Sequence, residues 1–309
     1  MPHQHCLREA GFGMSASTVA LTVLAGLSAA SVLFLVASGL SLVFGALRVI
    51  NMAHGSLYMI AAFLTTAIVS LFAQPTIGFV LALVLAPVAV ALLGALIEIL
   101  VLRRLYGREH LLQLLATYAL VLVFAGGVRI VFGSQNRIIR PPDFLTGGVS
   151  LGTITFPTYK FFLMFAALVV AAGLYVLLYR TTLGRNVRAA VADPELLNAS
   201  GVNVARLFTT VFMIGAGLAA LGGVLISPDQ AVGLGMDTDV LVAAFAISVI
   251  GGLGSLTGSF VGALLVGLAT SFGIMFPATS RWSLAFIFVL MAVVLMIRPW
   301  GLFGRPETN

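Results

Sequence analysis

Residues 49–97 read VINMAHGSLYMIAAFLTTAIVSLFAQPTIGFVLALVLAPVAVALLGALI, with no Asp, Glu, Lys or Arg among them. A hydrocarbon core about 30 Å thick, crossed at about 1.5 Å per residue, needs roughly 20 apolar residues per helix. The stretch is therefore long enough for two membrane spans, which we predict near residues 56–72 and 79–101.

The same pattern continues through the rest of the chain. Uncharged runs also occupy residues 10–47, 110–128, 161–179, 207–228, 240–280 and 282–297. Divided at their polar, glycine and proline breaks, the runs predict an all-α, polytopic transmembrane helical bundle of eight or nine spans. We assign residues 1–16 to a polar N-terminal segment, 17–298 to the transmembrane domain and 299–309 to a cytoplasmic tail. Residues 17–47 fit either one long tilted helix or a helix followed by a broken half-helix.

Composition excludes most soluble classes and most chemistry. The chain is 61% hydrophobic and 8% charged, whereas soluble domains carry about 25% charged residues. The net charge of +6 is scattered at span ends, so we expect no nucleic acid as a partner. A single cysteine, Cys6, excludes an internal disulfide and a multi-cysteine metal site. The sequence has no paired carboxylates and no Ser/His/Asp arrangement at positions usable for catalysis. We therefore expect no enzyme, no metal and no catalytic residues.

Arginine placement predicts the orientation. Arg103, Arg104 and Arg108 follow one predicted span, and Arg180 and Arg206 bracket a polar loop. By the positive-inside rule both regions lie in the cytoplasm, which leaves the N-terminus outside.

The longest predicted cytoplasmic loop, 180–206, contains LGRNVRAAVADPELLNASG at residues 183–201. Asp193 suits a helix N-cap, Pro194 the first helical position, Glu195 the first turn and Gly201 the end. We predict a short helix outside the membrane whose leucines dock into another protein. An amphipathic helix resting on the membrane surface is the alternative. The residues predicted to couple this chain to an ATPase are Arg185, Arg188, Asp193, Pro194, Glu195, Leu196, Leu197 and Gly201.

This loop and the span after it resemble the branched-chain amino acid permease family, in its LivH-like branch. GLSLVFGALRVINMAHG at residues 39–55 and VIGGLGSLTGSFVG at 249–262 resemble the same family. The resemblance implies a permease subunit of an ABC importer in the bacterial inner membrane. Its implied partners are a second homologous permease, two ATP-binding subunits, an extracytoplasmic solute-binding protein and membrane lipid.

We do not expect the ATP-hydrolysing site of such an importer in this chain. A phosphate-binding P-loop needs a glycine-rich turn followed by Lys-Ser or Lys-Thr, and the single lysine, Lys160, precedes Phe161. We therefore expect no cofactor in this chain, with ATP bound by the partner subunits.

Three groups of residues are candidates for other roles. Asn51, His54 and Gly55 form a polar break that either lines the translocation pathway or makes an interfacial turn with His54 at the headgroups. Gly254, Gly258 and Gly262 repeat every fourth residue and predict close helix packing, with Gly251 and Gly252 as a possible gate. Arg137 and Arg140, in the longest external loop, are predicted to dock the solute-binding protein.

Glu98 is the only carboxylate well inside a predicted span, and we expect it to pair with Arg103 or Arg104 or to extend toward the headgroups. This scarcity of ionisable groups argues against the main alternative, an autonomous ion-coupled secondary transporter or channel. Ribose-type sugar permeases carry an acidic residue in the segment corresponding to 51–54, where this chain has none. The amino-acid branch is favoured, although permeases for urea, amides and aromatic acids share that branch.

Overall fold

A computed structural model describes residues 16–152, 154–275 and 280–304. The described residues form eleven α-helices, and the hairpin described below is the only β-sheet among them. The helices are α1 (Ala16–Leu47), α2 (His54–Ser70), α3 (Pro75–Leu100), α4 (His110–Phe132), α5 (Thr158–Arg180), α6 (Thr182–Ala192), α7 (Pro194–Ala199), α8 (Val204–Ile226), α9 (Met236–Gly251), α10 (Leu256–Met275) and α11 (Ser283–Ile297). The predicted N-terminal segment and the end of the tail lie almost wholly outside the described residues.

Six helices within the described ranges are long and apolar enough to cross a membrane: α1, α3 with its 3₁₀ extension to Leu105, α4, α5, α8 and α10. Two shorter apolar helices cover His54–Ser70 and Ala285–Ile297. The all-α polytopic prediction is confirmed, but the number of eight or nine spans is not. The first span is one continuous helix of 32 residues, which settles the choice left open by the sequence.

Helix α8 lies at the centre of the bundle and packs against α1, α2 and α3. Glycines allow this packing: a methyl group at Gly39 of α1 would lie 2.6 Å from the carbonyl oxygen of Gly215 of α8. Gly223 of α8 lies against the backbone of Tyr58 in α2. Because glycine has no side chain, the backbones of these helices approach more closely than larger residues allow.

The two arginine-rich regions lie at the same end of the bundle. Glu98, near the end of α3, contacts Thr209, near the start of α8. The end of α1 reaches the turn between α9 and α10, where Gly45 lies against Gly254. By the positive-inside rule we take this as the cytoplasmic end.

The segment after α11 returns to this end. The backbone N–H groups of Leu302 and Phe303 donate to the carbonyl oxygens of Ile250 and Gly251, at 2.9 and 3.0 Å. They thereby satisfy carbonyl groups that the last turn of α9 leaves without a helical partner.

The opposite end carries a two-stranded antiparallel hairpin, β1 (Gly148–Leu151) and β2 (Ile154–Pro157). The Tyr159 hydroxyl, at the start of α5, donates to the carbonyl oxygen of Leu225 at 2.6 Å. This bond ties the outer end of α5 to the outer end of α8.

Candidate coupling site and translocation segment

The predicted cytoplasmic helix is present as α7. Asp193 is its N-cap and accepts a hydrogen bond from the N–H of Leu196 at 2.9 Å, while Pro194 begins the helix and Glu195 lies in its first turn. Gly201 follows the end with φ of 90°, a conformation that glycine adopts without strain. The sequence prediction of this helix is confirmed residue by residue.

Helix α7 is exposed. None of its residues is buried, and Leu196 is 68% exposed. Leu197 is half-buried and packs against the main core. One leucine therefore anchors α7 to the bundle, while the other points away from it and is free for a partner.

Helix α6 connects this exposed helix to the bundle and was not distinguished from the loop in the sequence. Gly184, Val187 and Ala190 bury one face of α6. The other face exposes Arg185 and Arg188, and Arg188 donates to the carbonyl oxygen of Leu178 while its guanidinium lies over the ring of Tyr179. Arg188 therefore fixes the α5–α6 corner, whereas Arg185 has an exposed charge.

The polar break formed by Asn51, His54 and Gly55 is buried in the bundle. His54 is fully buried, and its Nε2 lies 3.0 Å from the carbonyl oxygen of Val36. Val36 precedes the end of α1 at Leu47 by eleven residues, a distance of about 16 Å along the helix. His54 is therefore enclosed by the helices of the bundle, and both interpretations of this segment stay predictions.

Asn51 and Gly55 are buried beside His54. The Asn51 side chain accepts a hydrogen bond from the N–H of Ala53 at 3.1 Å, within the turn that precedes α2, and the N-cap residue of α2 is Ala53. Its Nδ2 has no hydrogen-bond partner among the described residues. Gly55 lies against the carbonyl oxygen of Asp237, which brings together the first turns of α2 and α9.

The glycine repeat packs α9 against α10, as predicted, with one exception. Gly258 lies against Gly251, and a methyl group at Gly262 would lie 2.8 Å from the carbonyl oxygen of Ile247. Gly254 is not on the helix face, since it precedes α10 and has φ of 84°. Gly252, with φ of 97°, ends α9 beside Gly304 of the C-terminal segment.

The two external arginines have different surroundings. The Arg137 guanidinium donates to the carbonyl oxygen of Phe132 at 2.8 Å and lies over the Phe132 ring. The Arg137 backbone also pairs with Val232. Arg140 is exposed and therefore remains the better placed of the two for contact with another protein.

Glu98 is fully buried and pairs with Arg103, one of the two arginines named from the sequence. The Arg103 Nε and Nη2 donate to its two carboxylate oxygens at 3.1 and 2.8 Å. The Tyr106 hydroxyl donates to Oε1 at 3.0 Å, and the Thr209 hydroxyl donates to Oε2 at 2.8 Å. Arg103 Nη2 also donates to Thr209 Oγ1 at 2.6 Å. We call these four residues the Glu98 clamp.

Tyr106 and Thr209 were missed by sequence reasoning. Burial raises the pKa of Tyr106, and the Glu98 charge raises it further, so the hydroxyl keeps the proton that it donates. A carboxylate inside an apolar helix needs several donors, and that requirement is the signal that more partners than one arginine exist. The sequence could not indicate Thr209, because it lies 111 residues away.

Comparison with known proteins agrees with this architecture. Residues 22–295 match the model of a family described as branched-chain amino acid transport system / permease component. The chain belongs to this permease family. It is 30% identical to the branched-chain amino acid permease protein BraD of Pseudomonas aeruginosa, over 92% of this chain and 95% of that protein. It is 27% identical to LivH of Escherichia coli, with the same coverage of both chains.

A weaker similarity extends to a sugar permease. The fructose import permease protein FrcC of Rhizobium meliloti is 29% identical over 54% of this chain and 50% of that protein. The resemblance stated from the sequence is thus confirmed at the level of the family. The chain is a multi-pass membrane permease component.

Proposed function

We propose that this chain is a membrane-spanning permease subunit of an ABC importer that carries branched-chain or related amino acids. ATP hydrolysis by two partner subunits drives the transport, and an extracytoplasmic solute-binding protein delivers the substrate. A second homologous permease completes the pathway. The substrate class is supported by the similarity to BraD and LivH over nearly the whole chain.

The observation that carries the coupling part of the proposal is the exposure of α7. Its Leu196 side chain is 68% exposed at the cytoplasmic end of the bundle, on a helix fixed at both ends by Asp193 and Gly201. An exposed leucine on a preformed helix suits insertion into an apolar groove of another protein, because the helix is already ordered before binding. We propose that this groove belongs to an ATPase subunit.

Reconstitution tests the proposal. The chain is placed in liposomes with the partner permease, the ATPases and the binding protein, and ATP-dependent uptake of labelled leucine is measured. Uptake should require every subunit, and unlabelled isoleucine should compete with it, whereas fructose and urea should not. Competition by fructose or urea would assign another substrate, and uptake by this chain alone on an ion gradient would overturn the importer.

A charge at the docking leucine tests the coupling helix. Leu196→Glu should prevent the ATPases from copurifying with the permease and leave the fold intact. Leu71→Glu is the matched control, because Leu71 is 79% exposed at the opposite end of the bundle. Copurification of the ATPases with Leu196→Glu at the control level would exclude α7 as the docking helix.

A further inference from the structure

The Glu98 clamp lies where the coupling segment enters the membrane. Helix α7 ends at Ala199, and α8 begins at Val204, with Asn203 as its N-cap. The Asn203 side chain accepts a hydrogen bond from the N–H of Arg206 at 2.9 Å, so the first turn of α8 is well formed. The connection from α7 to the first turns of α8, where Thr209 lies, is therefore short.

The clamp ties this part of α8 to α3. Thr209 is its only member on α8, and Glu98 belongs to α3. Arg103 lies in the 3₁₀ turn after α3, and Tyr106 follows that turn. Closer to the middle of the membrane the same two helices are in close contact, since a methyl group at Gly94 would lie 2.7 Å from Cβ of Ala216.

Stability alone does not explain a fully buried carboxylate paired with a partly exposed arginine at this contact. Burial of charges costs solvation energy, and apolar residues of similar volume often stabilise such a contact at least as well. A network of directional hydrogen bonds instead favours one relative position of the two helices. Every polar atom of the Glu98 carboxylate has a donor, which gives α3 and α8 a defined register at their cytoplasmic ends.

Helix α3 also reaches the outer end of the bundle. Its Gly78 lies against Val69 of α2, and Thr76 exchanges hydrogen bonds with Asp143 of the external loop. Pro87 stands between the two ends of α3 and lacks the N–H that would complete the helical hydrogen-bond pattern. The cytoplasmic half of α3 thus contacts α8, and its outer half contacts the external loop and α2.

We infer that the Glu98 clamp is a positioning device that makes α3 follow α8 when the ATPases move α7. This inference rests on the proposed importer function and assigns Glu98, Arg103, Tyr106 and Thr209 a role in passing that movement across the membrane. Without the clamp, α8 still moves with α7, but the cytoplasmic end of α3 follows it less closely and less of the movement reaches the outer end of the bundle.

Two adjacent threonines provide the test. Thr209→Val keeps the side-chain shape and removes the hydroxyl that joins Arg103 to Glu98. Thr210→Val is the matched control, because Thr210 is also half-buried and its hydroxyl bonds only to the carbonyl oxygen of Arg206 in its own helix. Glu98→Gln removes the charge at similar volume and serves as a second variant if it assembles.

The measured quantity is labelled leucine imported per ATP hydrolysed by the complete reconstituted importer. We expect Thr209→Val to lower this ratio at least about fivefold, because that factor corresponds to one hydrogen bond of ordinary strength and the Thr209 hydroxyl makes two in the clamp. Thr210→Val should keep the ratio of the parent protein. Equal ratios for the two variants would overturn the inference. So would a parallel fall in uptake and hydrolysis in Thr209→Val, because that result means only less assembled complex.

A distance measurement reads the movement directly. Spin labels replace the exposed Arg104 and Arg206 in a Cys6→Ser background, in which no other cysteine remains. The distance between labels should stay single and constant with and without ATP in the parent protein and in Thr210→Val. In Thr209→Val a second distance should appear with ATP, and its absence would contradict the clamp. Failure of the parent complex to import leucine would reject the proposed function itself, and the inference with it.

Discussion

Gly39 of α1 and Gly215 of α8 meet backbone to backbone in the middle of the bundle. A methyl group on Gly39 would lie 2.6 Å from the carbonyl oxygen of Gly215, and one on Gly215 would lie 2.5 Å from a methyl carbon of Val43 and 2.9 Å from the carbonyl oxygen of Gly39. The contact has room for hydrogen atoms only, and it sets how closely α1 and α8 approach.

We predict that Gly215→Ala destabilises the protein by about 1–3 kcal/mol, because the added methyl group forces the two helices apart. Gly173→Ala is the control, since Gly173 in α5 has no neighbouring atoms within 4 Å. This change should be neutral or stabilising by up to about 1 kcal/mol, the difference in helix propensity between the two residues. Thermal unfolding in detergent measures both. Equal melting temperatures for the two variants would contradict the close contact.

The N-cap of the coupling helix gives a second prediction. Asp193→Ala removes the acceptor for the Leu196 N–H and should raise amide hydrogen exchange in residues 195–199 about fivefold, in line with a cap contribution of about 1 kcal/mol. Asp193→Asn retains an acceptor oxygen and should exchange at nearly the parent rate. Exchange in α8 reports whether the effect is local, and an equal increase there would point to general destabilisation.

Charge reversal at the two external arginines should have different effects. Arg140→Glu changes an exposed charge, and we predict a higher concentration of binding protein for half-maximal uptake at an unchanged melting temperature. Arg137→Glu removes a bond to the Phe132 carbonyl and a ring contact, so it should lower the melting temperature. Titration of binding protein against uptake measures the first effect. An unchanged titration curve for Arg140→Glu would remove this arginine from the docking surface.

Asn51 provides a test of the translocation segment. Serine at this position retains a side-chain oxygen for the Ala53 N–H but lacks the Nδ2 group, which has no hydrogen-bond partner among the described residues. If Nδ2 contacts substrate or water during transport, Asn51→Ser should lower leucine uptake at normal assembly. Asn51→Ala also loses the hydrogen bond from the Ala53 N–H and should therefore reduce the stability of the protein. Parent-level uptake by Asn51→Ser would assign Asn51 to the turn alone.

Local sequence signals were sufficient for much of the fold. Several helices correspond to the uncharged runs of the sequence: α4 covers His110–Phe132 around the run 110–128, and α8 covers Val204–Ile226 around the run 207–228. The N-cap of α7 at Asp193 and its glycine end at Gly201 were also predicted from the sequence. Both depend on residues adjacent in the chain, since apolar length determines a span and a few side chains determine a helix end.

Long-range contacts account for what the sequence did not reveal. The burial of His54 depends on α1, which brings Val36 beside it, and the position of Gly254 depends on where α10 begins and on Gly45. A repeat of glycines at every fourth residue cannot distinguish a helix face from the turn before it. The partners of Glu98 were invisible for the same reason, because α3 and α8 are brought together only by the complete bundle.

The bonds from Leu302 and Phe303 to the end of α9 also constrain the order in which the protein is made. About fifty residues, including α10 and α11, separate the carbonyl groups from the N–H groups that satisfy them. During synthesis α9 must therefore enter the membrane before its last carbonyl groups have these partners, and water at the cytoplasmic end bonds to them until residue 303 has left the ribosome. The end of α9 therefore gains its last hydrogen bonds from the protein late in biogenesis, and a chain interrupted before residue 303 lacks the bond from Phe303.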